Sequence, residues 1–194
     1  MPWLTFIKEV DRDNRTTGAF GRSSRRLAEV VTDLARLQDA KVIVEYGSGE
    51  GVFTEAVLQK KTPDAYFIAM EVSAALVEAT KKRCPTATVI HDGAQNAQQY
   101  LREAGHEHCD AIVSGLPWTR FDDELQNEIL EATYNVLAPG GRFVTFAYAM
   151  SPLFPSGRRF FRDKLPGRFP DVTRVGPIWK NLPPCHVYMA QKPA

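Results

Sequence analysis

Residues Val42 to Gly51 read VIVEYGSGEG: an apolar run, Val42, Ile43 and Val44, passes through Glu45 and Tyr46 into Gly47, Gly49 and Gly51. Glycines spaced by two leave a loop almost bare of side chains, which is what a backbone needs to turn tightly, reach positive φ or let a ligand approach. Beyond the loop, Val52, Phe53, Ala56 and Val57 recur at helical spacing, so a strand feeds through the glycines into a helix N-terminus. That is the architecture of a nucleotide-type pocket.

The same alternation continues on the C-terminal side. Strands are expected at residues 42–46, 66–71, 87–91, 110–114 and 142–148, with helices at 51–60, 73–83, 94–104 and 123–137 between them. Strands separated by helices make a parallel sheet wound on both faces, an α/β fold. Ala138-Pro139-Gly140-Gly141 stops a helix and turns the chain into the fifth strand. After Met150 the alternation lapses into a Pro-, Gly- and Arg-rich stretch with a short helix expected at 156–165. Runs at 171–179 and 185–190, divided by Asn181-Leu182-Pro183-Pro184, read as a closing antiparallel hairpin. The total is a doubly wound, mostly parallel sheet of seven strands.

Upstream, Ser23 or Ser24 is placed to cap a helix whose Leu27, Val30, Val31, Leu34 and Leu37 form one apolar stripe. Before it, Trp3, Phe6, Ile7 and Val10 fall at i, i+3, i+4 and i+7 and make a short amphipathic helix. That helix serves either to lie in a membrane interface or to cap the core. The chain therefore divides into an N-terminal helical segment, residues 1–40, and a domain of residues 41–194.

A chain of 194 residues, 44% hydrophobic and 24% charged, suits one globular domain with a sizeable core. No apolar run reaches the roughly 20 residues that cross a bilayer, and no leader pattern opens the sequence, so a cytoplasmic protein is expected. Cys84, Cys109 and Cys185 are few and far apart, which suits a reducing compartment. His106, His108 and Cys109 lack ligand spacing, so no metal is expected. Net charge is only +1, but Lys8–Arg26 carries six basic and three acidic residues and Ser156–Lys180 seven and two, against nine and fifteen in Lys41–Pro155. Basic flanks around an acidic middle suit a peripheral encounter with an anionic surface, phospholipid or nucleic acid.

Three positions at successive strand ends carry the chemistry. The glycines are evenly spaced and preceded by Glu45, unlike the G-x-G-x-x-G of dinucleotide dehydrogenases. Glu71, about 20 residues past the last glycine, is placed for both hydroxyls of a ribose. Asp92 follows the third strand and is placed for a base edge, so the three describe one adenosine-like ligand across the sheet.

With Glu71, His91-Asp92-Gly93 and Ser114-Gly115-Leu116-Pro117-Trp118 behind it, E-x-G-x-G-x-G resembles the class I methyltransferases that use S-adenosylmethionine. The resemblance implies a seven-stranded Rossmann-like fold and a cofactor site of Glu45, Tyr46, Gly47, Ser48, Gly49, Gly51, Glu71, Val72, Asp92, Gly93, Ala94 and Ser114. In it the glycines flank the methionine part, Glu71 the ribose, Val72 the adenine face and Asp92 the adenine amine; S-adenosylhomocysteine is the product.

The fourth strand's end is where such enzymes hold the methyl acceptor. Those acting on base nitrogens carry Asn or Asp, Pro, Pro and an aromatic there, whereas this chain has Ser114, which argues against adenine. The S-G-L-P string, the segment Gly18 to Ala28 with its G-R-S-S-R-R-L-A, and Trp179 to Pro184 resemble the bacterial phospholipid N-methyltransferases that methylate phosphatidylethanolamine. That implies a phospholipid substrate, an anionic membrane surface as partner and no dedicated nucleic-acid-binding domain. Arg22, Arg25 and Lys180 are then phosphate ligands, with Leu116, Pro117 and Trp118 around the substrate. Ser114, Trp118 and Tyr148 are the catalytic candidates: Trp118 and Tyr46 to desolvate the amine and accept its cationic product, Tyr148 as a wall rather than a base. A nucleic-acid adenine methyltransferase, a small-molecule methyltransferase and a non-enzymatic binding protein are the alternatives.

Overall fold

The computed structural model describes residues 24–194. Its centre is a single seven-stranded sheet of order β3-β2-β1-β4-β5-β7-β6. The strands are β1 (Val42–Tyr46), β2 (Tyr66–Glu71), β3 (Thr88–His91), β4 (Cys109–Ser114), β5 (Leu137–Tyr148), β6 (Asp171–Ile178) and β7 (Cys185–Gln191). β3, β2, β1, β4 and β5 run parallel, and β7 lies antiparallel between β5 and β6. The closing hairpin is thus inserted with its second strand innermost. Chain order runs outward from β1 to β3 on one side and from β4 on the other, so a crevice opens at the carboxyl ends of β1 and β4.

The period of two in each strand assigns side chains to two cores. Val42, Val44 and Tyr46 of β1 enter one, with Ile112, Phe143 and Phe169; Ile43 enters the other, with Ala111, Val113 and Val144. Five helices precede the last third of the fold: α1 (Arg25–Leu34), α2 (Val52–Lys60), α3 (Ala74–Arg83), α4 (Ala97–Glu103) and α5 (Asp123–Val136). α1 lays Leu27, Ala28 and Val31 on the second core beside Phe53 and Val57 of α2. Its cap is Ser24, whose hydroxyl accepts from the Leu27 amide at 3.1 Å. Ser23, Arg22 and the amphipathic stripe of Trp3, Phe6, Ile7 and Val10 lie outside the described residues.

Three expectations are corrected in detail. The helix expected at 94–104 opens as a tight 3₁₀ turn, Ala94–Asn96, before α4. Ala138-Pro139-Gly140-Gly141 is not a turn ahead of β5 but a stretch passing out of register within it, between Leu137 opposite Cys109 and Arg142 opposite Ala111. The helix expected at 156–165 runs longer: α6 (Pro155–Arg159), a π-helical turn (Phe160–Lys164) and α7 (Leu165–Arg168). The wider turn tucks Phe160 and Phe161 into the core, beyond what a regular stripe predicts. Among the described residues no helix is long and apolar enough to cross a membrane.

Candidate active site

The glycine loop leaves β1 in a backbone shape that side chains resist. Gly47, Gly49 and Gly51 have φ of 74°, 56° and 81°, all in the left-handed region. The Gly47 amide donates to the Met70 carbonyl at 2.8 Å, which pins the loop to the end of β2. Ser48 Oγ shares a 3.0 Å hydrogen bond with Thr80 Oγ1, and that hydroxyl donates to the Gly49 carbonyl at 2.7 Å. Thr80 of α3 thus fastens the loop from behind, a role without a sequence signal because it depends on α3 docking under β2.

Two buried carboxyls flank the loop. Glu45 points to the face opposite Tyr46, where Thr54 of α2 donates its hydroxyl to Oε2 at 2.7 Å. Oε1 is buried with no partner among the described residues. Burial pushes this carboxyl up to about 8, nearby Glu71 adding to it and the Thr54 bond opposing it, so it is protonated near neutrality. Glu71 accepts from the Val72 and Ser73 amides through Oε1, at 2.9 and 3.0 Å, and from the Gly49 amide through Oε2, at 2.9 Å. Burial raises its pKa, while those three backbone bonds pull the other way. The acid expected at the ribose is therefore also the clasp that joins the loop to β2.

Asp92 stands at the next strand end. Oδ1 accepts from the Gly93 amide at 2.7 Å and Asn96 Nδ2 at 3.0 Å, and Oδ2 from the Tyr100 hydroxyl at 2.8 Å. Burial works to raise its pKa, but those bonds outweigh it and hold Asp92 below the usual carboxylate range. Val72 is half-buried beside it, its carbonyl 2.9 Å from His91 Nε2, and Gly93 and Ala94 are buried in the adjoining turn. Asn96 and Tyr100 escape a sequence reading because they serve Asp92 from the following 3₁₀ turn and from α4.

The acceptor turn is bound to the glycine loop through backbone. The Gly115 amide donates to the Tyr46 carbonyl at 2.8 Å, and a Cβ on Gly115 would lie 2.7 Å from the Gly47 carbonyl oxygen. Only glycine fits between β4 and the loop, so Gly115 belongs with the site residues although its motif alone did not single it out. Ser114 is buried and its hydroxyl lies 3.4 Å from the Leu116 amide; Leu116 is half-buried and Pro117 exposed.

Two aromatic expectations are corrected. Trp118 is 1% exposed: Phe160 stacks on one face with ring centroids 4.0 Å apart, Phe121 and Phe143 meet it edge-on, and its Nε1 donates to Thr145 Oγ1 at 3.0 Å. A face taken by Phe160 is not offered to a cation. Tyr46 is wholly buried in the same core, where burial drives its hydroxyl pKa upward. Both rings support the acceptor turn from within the core, because β1 and the turn at Trp118–Arg120 direct them inward. Tyr148, half-buried at the end of β5, has its pKa raised by burial, which disfavours it as a base.

Of the expected phosphate ligands, Arg25 and Lys180 are exposed. They are brought to one corner by the Ser24 amide, which donates to Asn181 Oδ1 at 2.9 Å. Arg22 lies outside the described residues. Among the described residues no three His, Cys, Asp or Glu side chains converge for a metal.

These groups fit S-adenosylmethionine. The loop presents bare backbone, open enough that a Cβ on Gly49 would meet nothing, an unpartnered carboxyl oxygen lies behind it, and two further acids hold successive strand ends. A bare backbone cradle with Glu71 and Asp92 at successive strand ends suits an adenosine-type cofactor, and Asp92, held anionic, adds an acceptor there.

Residues 43–141 match the family described as methyltransferase domain. The ornithine lipid N-methyltransferase of Singulisphaera acidiphila is 29% identical over 192 residues, covering 97% of this chain and 95% of that one. Among solved structures, the O-methyltransferase from Bacillus cereus in complex with SAH superposes with a TM-score of 0.70 at 15% identity, covering 97% and 91% of the two chains. The O-methyltransferase TomG from Streptomyces achromogenes in complex with SAM gives 0.69 at 18%, covering 94% and 86%.

Proposed function

Because the chain belongs to the methyltransferase-domain family, we propose that it is an S-adenosylmethionine-dependent N-methyltransferase acting on the primary amine of a membrane lipid at a bilayer surface. Phosphatidylethanolamine is the first candidate and an ornithine lipid the second; both join a primary amine to an anionic group. The observation that carries the reading is the likeness to a lipid N-methyltransferase along 97% of the chain, which reaches past the cofactor half into the acceptor turn and hairpin. Ser114 in place of an amide or carboxylate agrees with it, since no group there is built to hold the amino edge of a base.

When bound, S-adenosylmethionine supplies a methyl group on a sulfonium. The chain's own residues hold and orient. Glu71 fixes the glycine loop through the Gly49 amide while the Val72 and Ser73 amides hold its other oxygen, Asp92 is kept anionic by its three donors, and Gly115 lets the acceptor turn close on Gly47. The amine must be neutral to attack, and the apolar turn at Leu116 and Pro117 favours loss of its proton before transfer. Tyr148, its pKa raised, stays a neutral phenol and bounds the site without taking that proton. Arg25 and Lys180 offer cations to the lipid's anionic group.

Purified protein, labelled S-adenosylmethionine and vesicles containing either phosphatidylethanolamine or an ornithine lipid form the test. Mass spectrometry should show methylated headgroups in at least one vesicle type, the two arms separating phosphate from carboxylate recognition. No methylated lipid in either, or label appearing only in added ribosomal RNA, would remove the proposal.

A further inference from the structure

Five large apolar side chains are exposed among the described residues: Met150 at 45%, Leu153 at 81%, Phe154 at 50%, Trp179 at 76% and Leu182 at 87%. None is scattered elsewhere. Met150, Leu153 and Phe154 lie on the turn that leaves β5, and Trp179 and Leu182 on the loop between β6 and β7. Tyr148 pairs with Cys185 and the Ala149 amide donates to the Pro184 carbonyl at 2.8 Å, so the two loops rise side by side. β5 is parallel to β4 and β1, which puts this rim at the carboxyl end of the sheet, where the cofactor loop and acceptor turn also lie.

The rim is held in shape. The Leu153 amide donates to the Met150 carbonyl at 2.9 Å and the Phe154 amide to the Ser151 carbonyl at 3.1 Å. The Ser156 hydroxyl donates to the Thr119 carbonyl at 2.7 Å, tying the β5 loop to the acceptor turn, and Asn181 is buried under the other loop. Charge is one-sided: residues 149–162 and 178–185 contain Arg158, Arg159, Arg162 and Lys180 and no acid. Arg159 is paired with Asp123 at 3.0 Å, while Arg158 and Lys180 are exposed.

We propose that Leu153, Phe154, Trp179 and Leu182 form a docking surface that inserts into the interface of an anionic lipid bilayer and turns the mouth of the site toward it. Apolar tips on neighbouring loops, with exposed Arg158 and Lys180 behind them, match an anionic leaflet: the tips enter the acyl boundary and the basic residues remain among headgroups. Trp179 beside Lys180 suits that depth, where an amphipathic ring and a long cationic stem are both accommodated. The inference rests on the lipid reading for its choice of occupant and goes beyond it by assigning the surface.

The test avoids methyl transfer, so that the two readings fail separately. Full-length protein carrying Trp3→Phe retains buried Trp118 and exposed Trp179 as its tryptophans. Added to phosphatidylcholine and phosphatidylglycerol vesicles with brominated acyl chains, its emission should shift to the blue and be quenched. A Leu153→Ser, Leu182→Ser double variant should lose vesicle partitioning by about tenfold or more with S-adenosylhomocysteine affinity unchanged. Unquenched Trp179 on bound protein, or a variant that partitions like the parent, would overturn the surface. So would Trp179 emission already blue in buffer, which marks cover by residues 1–23, or a variant that dissociates a dimer. Vesicle binding through the rim with no lipid methylated would leave the surface standing and the substrate reading lost; methylated lipid with rim-independent binding would do the reverse.

Discussion

Two residues at the glycine loop separate what chemistry asks of a side chain from what space allows. Glu45 has a folded pKa of about 8 against 4.5 unperturbed. Below that lower value both folded and unfolded chains hold the proton; above it the unfolded chain ionises first. Stability is therefore fully present at low pH and falls as pH rises toward the folded pKa, by about 1.4 kcal/mol per unit from this group. Glu45→Gln keeps an acceptor for Thr54 and cannot ionise, so urea midpoints measured from about pH 5 to about pH 8 should decline less steeply in the variant. Glu71, also raised, leaves a residual slope of the same sign. At Gly115 the constraint is volume. Gly115→Ala drives a methyl to 2.7 Å from the Gly47 carbonyl, backbone against backbone, and should cost about 1–3 kcal/mol in unfolding. Because the displaced group is the cofactor loop, calorimetry should show S-adenosylhomocysteine affinity lost as well. An alanine variant that binds normally would show that the two loops move apart freely.

At the scale of elements, the turn after β4 works by facing inward. If Trp118 bordered the acceptor, its removal would alter substrate binding and spare the fold. Buried among Phe121, Phe143 and Phe160, it should instead cost about 3–5 kcal/mol as Trp118→Ala, read from the urea midpoint. Trp118→Phe should recover most of that but leave Thr145 without its indole donor. The contrast also marks how far the sequence could be read. Elements with a local signal were legible: the apolar run of β1, the spaced glycines and the stripe of α1 each announce themselves within a dozen residues. So were Glu71 and Asp92, because a strand end is a place that alternation defines. What was not legible depends on partners distant in sequence. Trp118 reads as an aromatic face for the methyl acceptor beside Pro117 until Phe160, some 40 residues on, stacks against it. Thr80 and Tyr100 look like ordinary helix polar residues until their helices dock. The π-helical turn is likewise invisible, since its wider pitch answers to the core it fills.

Across the whole molecule, the start of the described chain is fastened to its last loop. Asn181, 1% exposed, accepts from the Ser24 amide through Oδ1 and donates through Nδ2 to the Pro183 carbonyl, both at 2.9 Å. This one amide joins the head of α1 to the loop between β6 and β7, 157 residues apart, and so brings the chain at Arg25 and at Lys180 to one corner. The two ends are otherwise held unequally: α1 has its Ser24 cap and apolar face, whereas the loop carries exposed Trp179 and Leu182. Asn181→Ala removes both bonds and leaves a half-buried donor and a half-buried acceptor, a loss of about 1 kcal/mol. Asn181→Asp keeps the acceptor for Ser24 but turns a carboxylate oxygen on the Pro183 carbonyl, so it should recover only part. The measurement that fits this scale is native-state hydrogen exchange. Amides of residues 25–28 and of residues 178–187 should lose protection together in the alanine variant, while those of β1 and the glycine loop keep theirs. Loss confined to one end would mean that α1 and the hairpin are held independently by their faces, and that the bridge contributes nothing to placing the two cations.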